Sequence, residues 1–304
     1  MGGAMININE VEYHLGLVGY KLRHSVSPAI HRAALAEFGL RGDYDLFSVP
    51  SFPEGEPVLK EIIRKVRAKE IHGINVTIPY KQTVLLYVDA LTEVAREVQA
   101  VNTIYLLDGK LYGDNTDVEG FIRDIQRYQA RFQRAVVLGA GGAARAAVHG
   151  LIQNGCHVTI CSRRFEQAQQ LAADMNLLSD RFSARINAIE YTRDGLLTAV
   201  DDCDLIVNAT PCGMYPNVDT SIWIEGVPFP TGALVYDMVY NPPETTLIRS
   251  AKFNNVEAVS GLGMLVYQAM LAFQRWTGKM PSYDRLYIVA KEQLERMFQI
   301  EEKS

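Results

Sequence analysis

Cysteine is scarce in this chain and never clustered. The 304 residues include four, Cys156, Cys161, Cys203 and Cys212, and no two form a C-x-x-C pair. That excludes a zinc ribbon, a redox dithiol and a disulfide-stapled scaffold, and it suits a reducing compartment. The histidines are scattered as well. Only His24 and His31 lie near one another, no third ligand stands at metal spacing, and no metal site is expected. A basic surplus is missing: 30 Lys and Arg against 35 Asp and Glu give a formal net charge of −5, which speaks against nucleic acid as a partner. No apolar run approaches the length of a membrane span. The opening Met1-Gly2-Gly3-Ala4-Met5 lacks the basic and apolar regions of a secretory signal, and Ile6 breaks the myristoylation pattern. A cytoplasmic protein without membrane contact is expected.

What the chain does have is apolar content, 48% of its residues, and length enough for about two domains. The stretch from Ala135 to Ala147 organises the rest. An apolar run of strand length stops at Gly139, the turn Gly139-Ala140-Gly141-Gly142-Ala143 is crowded with small residues, and an alanine-rich helix begins. Gly139 permits a tight turn, Gly141 lets backbone approach a pyrophosphate, and Ala144 lets the helix pack on the strand. The helix N-terminus then offers free N–H groups to phosphates. A glycine-rich corner without a ligand would share the composition; the place between strand and helix favours a dinucleotide.

Around this stretch the pattern alternates. Strands are predicted at 135–139, 157–161, 184–190, 204–209, 233–238 and 256–259, with helices at 143–154, 165–175, 193–200 and 244–253, which means a parallel sheet. Asn208-Ala209-Thr210 would sit at its carboxyl edge, where ligands bind in such sheets. Helices follow at 264–277 and 282–299, after a long polar loop at 215–232. Before the glycine stretch, strands are predicted at 13–20, 44–49 and 101–106. Ser27 reads as the N-cap of a helix with Pro28 first inside it, and Glu56–Lys69 as a helix with Val58, Ile62, Ile63 and Val66 on one face. The stretch from Ile71 reads as a strand until Pro79 ends it. It sets Asn75 and Thr77 on one side, with Lys81 just past the proline. Asp117 reads as the N-cap of a helix over 118–128. The fold class predicted is α/β in two domains: an α/β substrate domain over 1–117, a doubly wound Rossmann domain over 118–262, and C-terminal helices over 263–304 that return to the first domain.

The second strand of the nucleotide domain ends in Ser162-Arg163-Arg164, with no acid before Glu166. An acid there would bind a ribose 2′-hydroxyl, whereas guanidiniums pair with a 2′-phosphate. Cations are also poorly placed at a helix N-terminus unless they have an anionic partner. NADP(H) is therefore expected over NAD(H).

Several separated stretches together resemble the shikimate dehydrogenase family. They are His24-Ser25-Val26-Ser27-Pro28-Ala29-Ile30-His31, Asn75-Val76-Thr77-Ile78-Pro79-Tyr80-Lys81, Ala100-Val101-Asn102-Thr103, Gly113-Asp114-Asn115-Thr116-Asp117, the glycine loop, Asn208-Ala209-Thr210-Pro211, Asp237-Met238-Val239-Tyr240-Asn241-Pro242, and the run Gly261 to Ala269. The resemblance covers nearly the whole chain. It implies reduction of 3-dehydroshikimate to shikimate by NADPH in aromatic amino acid biosynthesis. It implies Lys81 and Asp117 as the catalytic pair. Ser25, Ser27 and Tyr240 would hold a substrate carboxylate, and Asn75, Thr77, Asn102, Asp117 and Gln268 the ring hydroxyls. Gly139, Ala140, Gly141, Gly142 and Ala143 would cradle the pyrophosphate, with Ser162, Arg163 and Arg164 at the 2′-phosphate and adenine. Thr210, Met238, Gly261 and Met264 would line the nicotinamide. One departure is that the family commonly reads Asn-Arg-Thr where this chain has Ser162-Arg163-Arg164; the central arginine is kept. Related quinate/shikimate dehydrogenases share most of these motifs, and several use NAD through an acid absent here. Quinate activity, with NAD or with both cofactors, therefore ranks second. A catalytically silent ligand-binding regulator is the alternative from another class, against which Lys81, Asp117 and the complete glycine loop all stand. Monomer and homodimer are both left open.

Overall fold

A computed structural model describes residues 11–129 and 131–301; the N-terminal segment read above as no signal lies outside them. In chain order the protein forms β1 (Glu12–Gly19), α1 (Ser27–Glu37), β2 (Arg41–Ser48), α2 (Glu56–Arg67), β3 (Gly73–Val76) and the short β4 (Ala90–Leu91). Then come α3 (Glu93–Val98), the hairpin β5 (Thr103–Leu107) and β6 (Lys110–Asp114), and α4 (Asp117–Ile125). The hairpin turns at Asp108-Gly109, both at positive φ (49° and 75°), as a two-residue turn between twisted strands requires. Strand and helix alternate from there: β7 (Arg134–Leu138), α5 (Gly142–Gln153), β8 (His157–Ser162), α6 (Phe165–Phe182), β9 (Ile186–Glu190), α7 (Arg193–Val200), β10 (Leu205–Asn208), β11 (Leu234–Asp237), α8 (Thr246–Phe253), β12 (Glu257–Ser260), α9 (Leu262–Thr277) and α10 (Tyr283–Glu301). No helix among the described residues is long and apolar enough to cross a membrane.

The chain divides into two compact units. Among the described residues the first takes 11–92, 101–116 and 269–301. Its sheet runs β2-β1-β3-β5-β6-β4. β2, β1 and β3 are parallel, β5 is antiparallel to β3 and β6, and β4 is parallel to β6. On α2 the buried stripe is Leu59, Ile62, Ile63 and Val66, while Val58 is 41% exposed. The expected face was thus one residue off at its start, since spacing of three, four and seven selects Leu59. α10 packs on α1, and its Leu286, Ala290 and Leu294 are buried. Trp276 lies over Gly73, where any Cβ would fall 2.2 Å from the indole, and its Nε1 donates to the Ile104 carbonyl at 3.2 Å.

The second unit takes 93–100 and 117–268. Its sheet runs β12-β11-β10-β7-β8-β9, with every pair parallel. This is the doubly wound order with a switch point between β7 and β10, and it puts the ends of those strands where a dinucleotide binds. One face carries a core of Val137, Val148, Leu151, Ile160, Leu171 and Tyr236, the other a core of Val136, Leu138, Leu196, Ile206, Val235 and Ile248.

The units differ from the sequence boundaries in three places, of which the smallest is Asp117, which goes with α4 into the second unit. Residues 93–100 join the second unit because Val98 and Ala100 pack with Val118 and Ala146, and because Glu97 meets His149 at 2.7 Å and also pairs with Arg181. Residues 263–268 join it because Met264 is part of its core. The 215–232 loop is less polar than it reads. Ile222 and Val227 are buried, Trp223 stacks on Phe229 with centroids 4.5 Å apart, and the Tyr191 hydroxyl donates to the Ile222 carbonyl.

Candidate active site

In the first unit the polar residues gather at the ends of β3 and β5. Asn75, on β3, is 5% exposed. Its Oδ1 accepts from the Tyr44 hydroxyl at 2.8 Å, and its Nδ2 donates to the Asn102 carbonyl and to Thr103 Oγ1, each at 3.2 Å. Asn102 Nδ2 donates to Thr116 Oγ1 at 2.9 Å, and its Oδ1 accepts from the Thr116 N–H at 2.8 Å. Four buried polar side chains, Asn75, Asn102, Thr103 and Thr116, thus form one satisfied network of fixed orientation. Thr77 follows β3, half-buried, its N–H donating to the Val18 carbonyl at 2.9 Å. The 77–81 turn is pinned by Tyr80. Its ring is fully buried, its hydroxyl donates to the Pro50 carbonyl, and its N–H donates to the Thr77 carbonyl at 2.9 Å. The Lys81 backbone carbonyl accepts from Val101 N–H at 2.7 Å, so the main chain under this half-buried lysine is fixed.

Ser27 is not the N-cap. Val26 already has helical angles, φ −88° and ψ −4°, and α1 begins at Ser27 with Pro28 next. Ser25 stands in extended conformation, and its Oγ accepts from the Ser27 N–H at 3.2 Å. The N-cap is therefore Val26, which offers no side-chain cap, and Ser25 satisfies the first N–H of the helix by a local turn.

In the second unit Asp117, 4% exposed, is the first residue of α4 rather than its cap. Farther along α4, Gly120 lies against α9. A Cβ there would fall 2.9 Å from Gln268 N and 3.1 Å from the Met264 carbonyl. That absence of a side chain seats Gln268, which is 8% exposed and donates from Nε2 to the Leu265 carbonyl at 2.8 Å. Asp124 secures the same helix pair: it accepts from the Tyr236 hydroxyl at 2.7 Å and from the Met264 backbone N–H, and burial raises its pKa. Gly261 lies against Met238, with a Cβ position 2.7 Å from the Met238 carbonyl. Tyr240 is half-buried two residues beyond Met238.

The glycine turn has the expected form. Gly139 has φ +116°, and a Cβ there would touch Thr210 Cγ2 at 3.0 Å, so only glycine fits. At Gly141, the N-cap of α5, a Cβ would meet nothing within 4 Å, and no side chain caps the helix. Gly142 and Ala143, the first residues of the helix, are partly exposed, with no acid in the first turn to compete for an anion. At the carboxyl end of β8 and β9 lies a cavity of about 300 Å³ lined by Ser162, Arg163, Phe165, Glu190, Tyr191 and Thr192. Arg164 is exposed beside it, its N–H donating to Ser162 Oγ at 3.3 Å. An open helix N-terminus, a glycine with room before it and an arginine-walled cavity at the second strand's end fit a dinucleotide carrying a 2′-phosphate. The sequence reading missed Phe165, the first residue of α6, and Glu190, Tyr191 and Thr192, which enter because β9 lies beside β8.

Thr210 is held by a buried cluster the sequence also left unread. Asn208 Oδ1 accepts from the Thr210 N–H at 3.0 Å and from its hydroxyl at 2.7 Å, and Asn208 Nδ2 donates to Asp237 Oδ1 at 2.8 Å. Asp237 also accepts from Thr245 Oγ1 at 2.6 Å, and burial pushes its carboxyl up to about 6.

A glycine turn at the switch point of a six-stranded parallel sheet, joined in one chain to a buried amide–hydroxyl network, defines a dinucleotide-dependent oxidoreductase of small polar substrates. Comparison with known proteins narrows this. Family models described as shikimate dehydrogenase substrate binding domain, NADP oxidoreductase coenzyme F420-dependent, and shikimate 5′-dehydrogenase C-terminal domain match residues 17–104, 134–228 and 261–287. The shikimate dehydrogenase (NADP+) of Methanopyrus kandleri is 40% identical over 269 residues, 87% of this chain and 90% of that one. That of Methanocaldococcus jannaschii is 38% identical over 280 residues, 91% and 95% of the two chains. The solved structure of shikimate 5-dehydrogenase from Thermus thermophilus with NADP(H) and shikimate superposes with a TM-score of 0.80 at 31% identity, covering 92% of this chain and 99% of that one. The chain belongs to the shikimate dehydrogenase family.

Proposed function

We propose that this protein interconverts 3-dehydroshikimate and shikimate with NADPH and NADP+, as a step of aromatic amino acid biosynthesis in the cytoplasm. The second unit holds the nucleotide, and the substrate roles fall to residues of both units. The observation that carries the reading is the buried network of Asn75, Asn102, Thr103 and Thr116 in a chain whose relatives are named for shikimate and NADP+. A substrate dense in hydroxyls suits a wall built of fixed amide and hydroxyl groups, which offer both donors and acceptors. Arg163 on the wall of the cavity beyond β8 supports NADP(H) over NAD(H). Four unbridged cysteines support the location.

The nicotinamide, when bound, supplies the hydride that reaches the carbonyl carbon. The Lys81 ammonium donates a proton to the carbonyl oxygen as charge develops there, and in the reverse direction its neutral amine takes the hydroxyl proton back. The Asp117 carboxylate accepts from a substrate hydroxyl and completes the catalytic pair with Lys81. Ser25, Ser27 and Tyr240 hold the substrate carboxylate. Asn75, Thr77, Asn102 and Gln268 read the ring hydroxyls.

Steady-state oxidation of shikimate and of quinate, each with NADP+ and NAD+, tests the assignment. The expected result is highest kcat/KM for shikimate with NADP+. Equal or better turnover with quinate or NAD+ overturns it, and binding of shikimate without turnover makes the chain a ligand-binding regulator. Lys81→Ala is expected to lower kcat by about 10²–10⁴-fold with KM for shikimate within a few-fold. A near-normal kcat removes Lys81 from the chemistry.

A further inference from the structure

Asn75 is turned by the Asn102 carbonyl and held at its oxygen end by Tyr44. An amide can be turned about its Cβ–Cγ axis with little change of shape, so something must decide which end faces which way. The backbone carbonyl of Asn102 only accepts, and it lies 3.2 Å from Asn75 Nδ2. The opposite turn would place two oxygens against each other. Oδ1 is thereby directed to the Tyr44 hydroxyl, 2.8 Å away, which must donate. Tyr44 is wholly buried and cannot drift from this position. Its ring stacks on His31 with centroids 4.3 Å apart and planes 5° from parallel, and Trp276 tilts against both, with centroids 5.2 Å from His31 and 6.4 Å from Tyr44. Its backbone is held too: the Tyr44 N–H donates to Asp43 Oδ1 at 2.7 Å, and the Tyr44 carbonyl accepts from Arg32 at 3.3 Å. A rigid aromatic stack therefore ends in one hydroxyl aimed at one amide oxygen.

We propose that Tyr44 is a positioning residue for substrate recognition, acting through Asn75 with His31 and Trp276 as its aromatic clamp. Tyr44 fixes the amide that reads a substrate hydroxyl, so its loss falls on substrate affinity. This rests on the assignment of Asn75 to the substrate, and the test keeps the two apart.

Tyr44→Phe removes the hydroxyl and leaves the stack. In this variant KM for shikimate is expected to rise about ten-fold, while kcat and KM for NADP+ stay within about two-fold. Asn75→Ala should raise KM by itself, and adding Tyr44→Phe to it should cost less than about two-fold more, since the hydroxyl then has nothing to position. A purely structural tyrosine would lower the thermal midpoint equally in both backgrounds and leave the KM-against-kcat split unmoved. The orientation is also read without substrate: the Asn75 side-chain amide protons should exchange with water about ten-fold faster in Tyr44→Phe, as followed by NMR. Unchanged exchange overturns the proposal whatever the substrate proves to be, and an unchanged KM in an active Tyr44→Phe enzyme overturns it as well. Faster exchange in a protein inactive on shikimate leaves Tyr44 as the device that holds Asn75 and refutes only the assigned substrate.

Discussion

His31 is wholly buried, and neither ring nitrogen has a hydrogen-bond partner among the described residues. Burial drives its pKa from 6.5 down to about 3, opposed slightly by the neighbouring Asn75 amide, and no charged group adds to these two effects. The sign of the consequence is fixed. Between about pH 6.5 and 3 the unfolded chain binds a proton at this position that the folded chain refuses, so stability falls as pH falls through that window and is indifferent to His31 above it. The slope is about 1.4 kcal/mol per pH unit for one proton. His31→Phe keeps a ring against Tyr44 and removes the proton site. Its thermal midpoint is expected to decline less than that of the unaltered protein between pH 7 and pH 4.5, as followed by circular dichroism, and parallel declines would mean the imidazole is charged in the fold. At this scale the sequence was informative about residue types and silent about partners. Asn75, Asn102 and Lys81 stand in recognisable stretches, so they could be named in advance. Tyr44 and Asp237 could not be read as supports, because their roles arise from neighbours 31 and 29 positions away.

The element that most constrains the nucleotide reading is the turn between β7 and α5, and its glycines separate by what surrounds them. Gly139 is committed by conformation: at φ +116° and crowded by Thr210, alanine there strains the folded chain with or without nucleotide. Gly141 is committed by nothing in the protein, since a Cβ there meets no atom within 4 Å and its φ is −83°. Gly141→Ala is therefore expected to lower the thermal midpoint of the free protein by no more than about 2–4 °C, the cost of about 1 kcal/mol for a poorer helix cap. It should still raise KM for NADP+ at least ten-fold, because the methyl group occupies the space the pyrophosphate needs. Gly139→Ala should lower the midpoint in the absence of any nucleotide. If Gly141→Ala binds NADP+ as well as the unaltered protein, the phosphates lie elsewhere. The alternation of strand and helix around this turn was legible because period-two and period-3.6 patterns are local. The ends were not: α6 runs to Phe182 rather than 175. The 215–232 loop buries Ile222 and Val227 against Tyr191 and its neighbours, which no local pattern announces.

For the molecule as a whole, the distribution of its few cysteines offers a direct reading of one unit. Cys156, Cys161, Cys203 and Cys212 all belong to the second unit, and the first has none. Cys156 and Cys161 are 1% exposed and Cys203 is 7% exposed, and burial pushes their thiols up to about 12, 11 and 12. Thiolate, not thiol, is the nucleophile, so these three can react with iodoacetamide only when the second unit opens. Cys212 is half-buried two residues past Thr210, with its N–H donating to Thr210 Oγ1 at 3.2 Å. In the native protein at pH 8 it should alkylate first, with the other three following at the rate set by the opening equilibrium. A nucleotide that binds only the folded second unit lowers that equilibrium by 1 + [L]/Kd. NADP+ at 100 times its Kd should therefore slow alkylation of Cys156, Cys161 and Cys203 about 100-fold, equivalent to about 2.7 kcal/mol. Peptide mass spectrometry assigns the rates to individual cysteines, which matters because Cys212 would also be shielded directly by a nicotinamide lying at Thr210. Protection confined to Cys212 would mean contact without stabilisation of the unit. Protection of none of the four would remove the parallel sheet as the nucleotide's site, and with it the role assigned to Arg163.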